Sequence, residues 1–181
     1  MALKATIHKA ELTVSDLDRG HFATYSLTLA RHPSETDERM MVRLLAFALH
    51  ADERLEFGRG LSTEDEPDLV QSDLSGALEL WVQVGLPDER DLRRACGRAP
   101  RVAVYAYGSA AAVWWKQQGA ALARLDNLRV VALPPDATRG LAERAGRTMQ
   151  VQCTIQEGHL WWSDEATSLE IEPLVLKAGA G

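Results

Sequence analysis

Between Glu66 and Val84 the chain reads E-P-D-L-V-Q-S-D-L-S-G-A-L-E-L-W-V-Q-V, and no other stretch restricts its fold as strongly. From Ala77 to Val84 apolar and polar positions alternate, the signature of a strand whose successive side chains leave opposite faces. Leu78, Leu80, Val82 and Val84 are predicted on one face, and Glu79, Trp81 and Gln83 on the other. A shorter extended piece opens at Pro67-Asp68, and Ser72-Asp73-Leu74-Ser75-Gly76 between the two has turn chemistry. An antiparallel hairpin centred on Asp73 and Leu74 places Asp68 opposite Glu79. Like charges facing one another across strands are destabilising. Such a pair either reaches water or shares a cation.

The rest of the chain reads as alternating strands and helices around that hairpin. Residues 2–14 and 21–31 are predicted to form two long strands joined at Ser15-Asp16-Leu17-Asp18-Arg19-Gly20, where Asp16 and Asp18 are turn residues before they are metal ligands. A helix is expected to start near Ser34, with Glu35, Asp37 and Glu38 complementing its dipole, and to run to about residue 51. Glu38, Met41, Leu45 and Ala48 fall on one face of it. Leu55–Phe57 is a short strand, and Gly58-Arg59-Gly60 a turn. Pro87-Asp88 opens a helix to about Gly97. Its Arg90, Arg93, Arg94 and Arg98, with Arg101, are the densest basic patch, readable as a solvated helix end or as a phosphate-binding flank. Residues 102–107 are a continuous apolar run, so strand, helix and buried strand imply a parallel crossover. A helix over 109–123 carries Trp114 and Trp115, which cannot both point inward. A buried strand at 128–133, a short helix at 137–145, a hairpin over 148–163 and an edge segment at 169–176 complete a single mixed α/β domain over residues 1–181.

Composition removes several function classes. With a formal charge of −6 and only Lys4, Lys9, Lys116 and Lys177 as lysines, the chain has no broad basic surface to wrap nucleic acid, although a local groove is compatible with that balance. Cys96 and Cys153 match no metal or redox spacing and are expected to be reduced thiols. No apolar run is long enough to span a bilayer and no secretory leader is seen, so the expected location is the cytoplasm, away from membranes. No nucleophile elbow, phosphate-binding loop, dinucleotide fingerprint or zinc spacing occurs. The acids are the one constellation left.

Pro67-Asp68, ten further residues and then Glu79 on an apolar strand resemble the metal site of the PD-(D/E)XK nuclease-like superfamily. Longer stretches resemble the bacterial YaeQ family, among them R-H-P-S-E-T-D-E-R-M-M-V-R-L-L-A-F-A-L-H, L-E-F-G-R-G-L-S-T-E-D-E-P-D-L and Y-G-S-A-A-A-V-W-W. The resemblance implies a restriction-endonuclease-like α/β core with an added N-terminal β-hairpin and C-terminal strands, in a family without a settled activity. It implies that Asp68 and Glu79 hold Mg²⁺ or Mn²⁺, with Glu38 as the helix acid and Gln83 beside them, for phosphodiester hydrolysis. At the position of the superfamily's lysine stands Trp81.

Three readings follow. The first is a divalent-metal-dependent nuclease. The second is a non-catalytic module on the same scaffold that binds nucleic acid or a protein. In the third, purely structural reading the acids are paired to Arg39, Arg43, Arg54 or Arg59. Oligomeric state and substrate are not written in the sequence.

Overall fold

Hydrophobic alternation and the turn residues between its runs build two sheets, seen in a computed structural model that describes residues 4–59 and 65–180. In chain order the strands and helices are β1 (Thr6–Asp16), β2 (His21–Arg31), α1 (Asp37–Leu49), β3 (Leu55–Phe57), β4 (Leu69–Ser72), β5 (Leu78–Val84), α2 (Glu89–Arg98) and β6 (Val102–Ala106). They continue with α3 (Ala111–Leu122), β7 (Leu128–Ala132), α4 (Pro135–Glu143), β8 (Thr148–Gln156), β9 (His159–Ser163), β10 (Ser168–Ile171) and β11 (Leu174–Lys177). The mixed α/β class read from the sequence is therefore present. The chain's contacts gather into two compact units: Met1–Ala51 with Asp136–Pro173, and Asp52–Pro135 with Leu174–Gly181.

The first unit holds a sheet of order β10-β9-β8-β1-β2. β1 and β2 pair along their whole length, from Thr6↔Arg31 to Asp16↔His21, and β1 also pairs in parallel with β8. Both aspartates of the first turn are spent on backbone and arginine. Asp16 takes the Arg19 amide and its Nε at 3.0 and 2.6 Å, while Asp18 accepts the amides of Glu157 and Gly158 at 2.7 and 3.0 Å. Those two residues turn β8 into β9 with φ of +52° and +76°, the left-handed backbone that a two-residue hairpin loop requires. Helix α1 starts later than expected. Thr36, not Ser34, accepts the Arg39 amide, and Ser34 is held by His32 instead. From Met40 to Ala48 every residue of α1 is buried, Arg43 included.

The second unit holds a sheet of order β11-β7-β6-β5-β4-β3. The parallel crossover implied by the sequence is present, β5 pairing in parallel with β6 across α2, and a second, not foreseen, pairs β6 with β7 across α3. A core of Trp81, Leu92, Ala95, Val102, Val104, Trp114, Leu122, Leu128 and Val130 joins these strands to α2 and α3. Trp114 is buried and donates its indole N–H to the Pro87 carbonyl, while Trp115 packs from a partly exposed position. The segment expected as one edge piece at 169–176 is two strands. Ile171 ends β10 in one sheet, Leu174 opens β11 in the other, and Pro173 lies in the break.

Candidate functional site

The hairpin at the centre of the sequence argument is present, in another register. β4 and β5 pair as Leu69↔Val82, Val70↔Trp81 and Gln71↔Leu80, then slip to Ser72↔Leu78. The turn accordingly runs from Asp73 to Ala77. The Asp73 carboxylate takes the Ser75 hydroxyl and the amides of Ser75 and Ala77, and Gly76 supplies φ of +89°. Asp73 draws its pKa below the ordinary carboxylate value chiefly through the Ser75 hydroxyl and then the Ala77 amide, since both favour the ionised form.

That slip leaves Glu79 as an extra residue on β5, and an extra residue in one strand re-aims side chains. Leu78, expected with Leu80, instead packs against the cluster that contains Trp81. Glu79 turns to Gln71, whose amide donates to it at 3.0 Å, and to Arg54, whose Nη1 lies at 3.0 Å. Asp68 goes elsewhere. Its amide donates to the Val82 carbonyl at 2.9 Å, and its buried carboxylate accepts the Val84 amide at 2.8 Å. Asp68 therefore stands beside Gln83 and Val84. Glu79 lies four residues back along β5, roughly 13 Å at strand rise.

The other two predicted residues lie on different elements. Glu38 is half-buried in the first turn of α1. Gln83 is buried on β5, and its Oε1 has no hydrogen-bond partner among the described residues; the same holds for Trp81 Nε1. No group of three or more His, Cys, Asp or Glu side chains among the described residues is arranged to hold a metal ion. Among the described residues the Asp68 carboxylate accepts the Val84 amide, and the Glu79 carboxylate meets Arg54 and Gln71.

Trp81, at the lysine position, is 5% exposed and part of the core. The thiols offer no alternative chemistry. Burial pushes Cys96 up to about 11 and Cys153 up to about 12, so both stay protonated and weakly nucleophilic near neutrality. What does face solvent is α2. Only Leu92 and Ala95 of that helix are buried, and Arg90, Arg93, Arg94 and Arg98 are exposed, as is Arg101 after it. Arg93 pairs with Glu89, and Arg94 and Arg98 reach Asp65.

The acid that matters most to the interior escaped the sequence reading. Glu35, 3% exposed, takes Arg43 Nε at 2.9 Å and Nη2 at 2.5 Å, and Arg39 Nη1 at 2.8 Å. Arg43 also donates to the Ala30 carbonyl at 3.1 Å. Arg43 inside the apolar run M-M-V-R-L-L was the available signal, since a buried guanidinium demands a counter-charge.

Comparison with other proteins agrees with the pattern of residues. A sequence profile described as "YaeQ protein" matches residues 1–173. An uncharacterized protein YaeQ of Salmonella typhi is 53% identical over 174 residues, covering 95% of this chain and 96% of that one. Its counterpart in Escherichia coli K12 is 50% identical over 173 residues, covering 94% and 95%. Crystal structures of YaeQ proteins from Xanthomonas axonopodis pv. citri and Pseudomonas syringae superpose with a TM-score of 0.93 each, at 50% and 39% identity. They cover 96% and 98% of this chain, and 99% and 98% of their own. With matches of that extent in profile, sequence and structure, the chain belongs to the YaeQ family.

Proposed function

We propose that this chain is a non-hydrolytic module of the cytoplasm, built on a PD-(D/E)XK-like core, that binds the phosphate backbone of nucleic acid through the arginines of α2. The observation that carries it is the fate of the acids. Asp68 accepts the Val84 amide, and Glu79 is engaged by Arg54 and Gln71. A basic helix face remains, with Arg90 and Arg101 exposed at its two ends. Among the described residues no helix is long and apolar enough to cross a membrane.

The resemblance supports a competing reading, a Mg²⁺- or Mn²⁺-dependent phosphodiesterase using Asp68 and Glu79 with Glu38 and Gln83. Buried Gln83 Oε1, beside Asp68 and without a hydrogen-bond partner among the described residues, is the feature in its favour. Two titrations separate the readings. Calorimetry with Mg²⁺ and Mn²⁺ is expected to show no saturable site in the wild type. Saturable binding lost in a folded Asp68→Ala, Glu79→Ala double variant would restore the phosphodiesterase. Fluorescence anisotropy with a labelled single-stranded oligonucleotide is expected to show binding that weakens as salt rises. Replacing Arg90 and Arg101 by Ala should flatten the slope of log K against log salt by about 1.4. An unchanged slope removes α2 as the contact.

A further inference from the structure

In the first unit, half of β8 has been left with a bare edge. β1 pairs with β8 from Thr148 to Ile155, but on the other side β9 reaches only Gln152, its partner being Ser163. There the chain turns away. Asp164 caps its own turn by accepting the amides of Ala166 and Thr167 at 2.9 and 2.8 Å, and Thr167 leads into β10. Lys9 donates to the Arg147 carbonyl, so Arg147 faces β1. By alternation the N–H and C=O groups of Thr148 and Gln150 face the vacated side. Neither residue has a hydrogen bond on that side among the described residues.

The two faces flanking this edge differ in chemistry. On one, buried Met149, Val151 and Trp162 floor an open depression of about 450 Å³ rimmed by Arg144, Asp164 and Glu165. Trp162 is fully buried, and its Nε1 has no acceptor among the described residues. On the other, a depression of about 270 Å³ is lined by Glu11, Gln150 and Glu165. Register pairs Glu11↔Gln150 and Gln152↔Ser163 put these polar side chains on one surface, opposite Met149 and Trp162. Among the described residues neither Glu11 nor Glu165 is ion-paired, although Lys9 stands opposite Thr148 on the same surface, and Arg144 lies against Asp164 at 3.6 Å.

From the open ladder, the apolar notch and the acidic notch together, we infer that this edge takes an extended peptide of a partner protein as an added strand, with apolar and basic residues alternating along it. Successive side chains of a strand leave opposite faces, so one set fills the notch over Trp162 while its neighbours meet Glu11 and Glu165. The outward groups of Thr148 and Gln150 supply the backbone bonds. This strand site is independent of the α2 arginines and of the hairpin acids, and it does not rest on the nucleic-acid reading.

The test is ¹⁵N-resolved NMR of the full chain titrated with a capped Val-Lys-Val-Lys-Val peptide, then with Val-Glu-Val-Glu-Val and Val-Lys-Pro-Lys-Val. The lysine peptide is expected to shift the Thr148 and Gln150 amides and slow their exchange. The glutamate peptide should bind about tenfold more weakly, since like charges are then juxtaposed. The proline peptide should leave the amides unmoved, having lost a ladder donor. Glu165→Lys, an exposed change that the fold tolerates, should erase the preference between lysine and glutamate peptides. Unmoved amides at millimolar lysine peptide, or equal binding of the two charged peptides, would overturn the proposal. So would a concentration-dependent dimer protecting the same amides, which makes the guest a second copy of this chain.

Discussion

Two acid–arginine pairs, one in each unit, show how little the residue types alone decide. Glu35 and Arg43 are both almost fully buried, with side chains 1% and 2% exposed, and they meet through two hydrogen bonds. Glu79 and Arg54 are 33% and 40% exposed and meet at a single contact of 3.0 Å. In the first pair removal from water sets the energy: each charge is tolerable only because the other is present. In the second, water competes with the partner and screens it. Asp68 is intermediate, a buried carboxylate that accepts the neutral Val84 amide. The hairpin acids, prominent in the sequence, belong to the weaker part of this series, while the strongest pair joins α1 to the residue just before its cap.

The comparison is most exposed to failure at Glu35. Glu35→Gln strands the Arg43 charge in the interior, and chemical denaturation should register a loss of about 3–5 kcal/mol. A loss below about 1 kcal/mol would mean that water reaches Arg43. Replacing both residues by apolar ones of similar volume should recover most of that loss, because the desolvation of two ions disappears with them. Next in size is Asp68→Ala, which leaves the Val84 amide buried without its acceptor at a cost of about 1–3 kcal/mol. Hydrogen exchange at the Val84 amide should accelerate in the variant; an unchanged rate would show that the carboxylate is not its cap. Arg54→Ala should cost about 0.2–1 kcal/mol, and the cost should fall further at high salt.

Much of the architecture was legible because it follows from periodicity. Alternation in 77–84, the apolar run of 102–107 and the intervening Pro87-Asp88 start gave strand, helix and parallel strand in the right order. What period-two patterning cannot carry is register. The hairpin was read as a short turn around Asp73 and Leu74, whereas Gly76, at φ of +89°, marks a turn closing two residues later. The extra residue at Glu79 then broke the alternation itself, sending Leu78 into the core and Glu79 to Arg54. A bulge has no side-chain signature in a single sequence, so the separation of Asp68 from Glu79 could not be read there. Glu35 was missed for another reason. Acids at a helix start have a sufficient local explanation in the dipole, and only Arg43 eight residues on points to a buried partner. The double tryptophan of α3 was the easier case, since a helix can bury only one of two adjacent rings.

The smallest effect expected is also the one that ties the hairpin's register to a measurable group. Asp73 is partly exposed, so solvent limits what its charge contributes, yet it is the acceptor that organises the whole turn. Its pKa in the folded chain lies below the ordinary carboxylate value, because the Ser75 hydroxyl and the Ala77 amide bind the ionised form. A group whose pKa is lowered by folding stabilises the fold above its unfolded value and ceases to do so as pH falls through the folded value. Wild type should therefore exceed Asp73→Asn in stability at neutral pH, by a margin that shrinks through the acid range and vanishes once Asp73 is protonated in both states. Denaturation curves of the two proteins across that range measure the margin directly. A margin independent of pH would mean that the asparagine loses turn geometry rather than charge, and the register would then rest on Gly76. Asp73 and Glu79 thus complete the contrast with Glu35: acids at the surface of a sheet shape its turns and edges by hydrogen-bond geometry, whereas an acid in the interior acts through a charge that cannot be left alone.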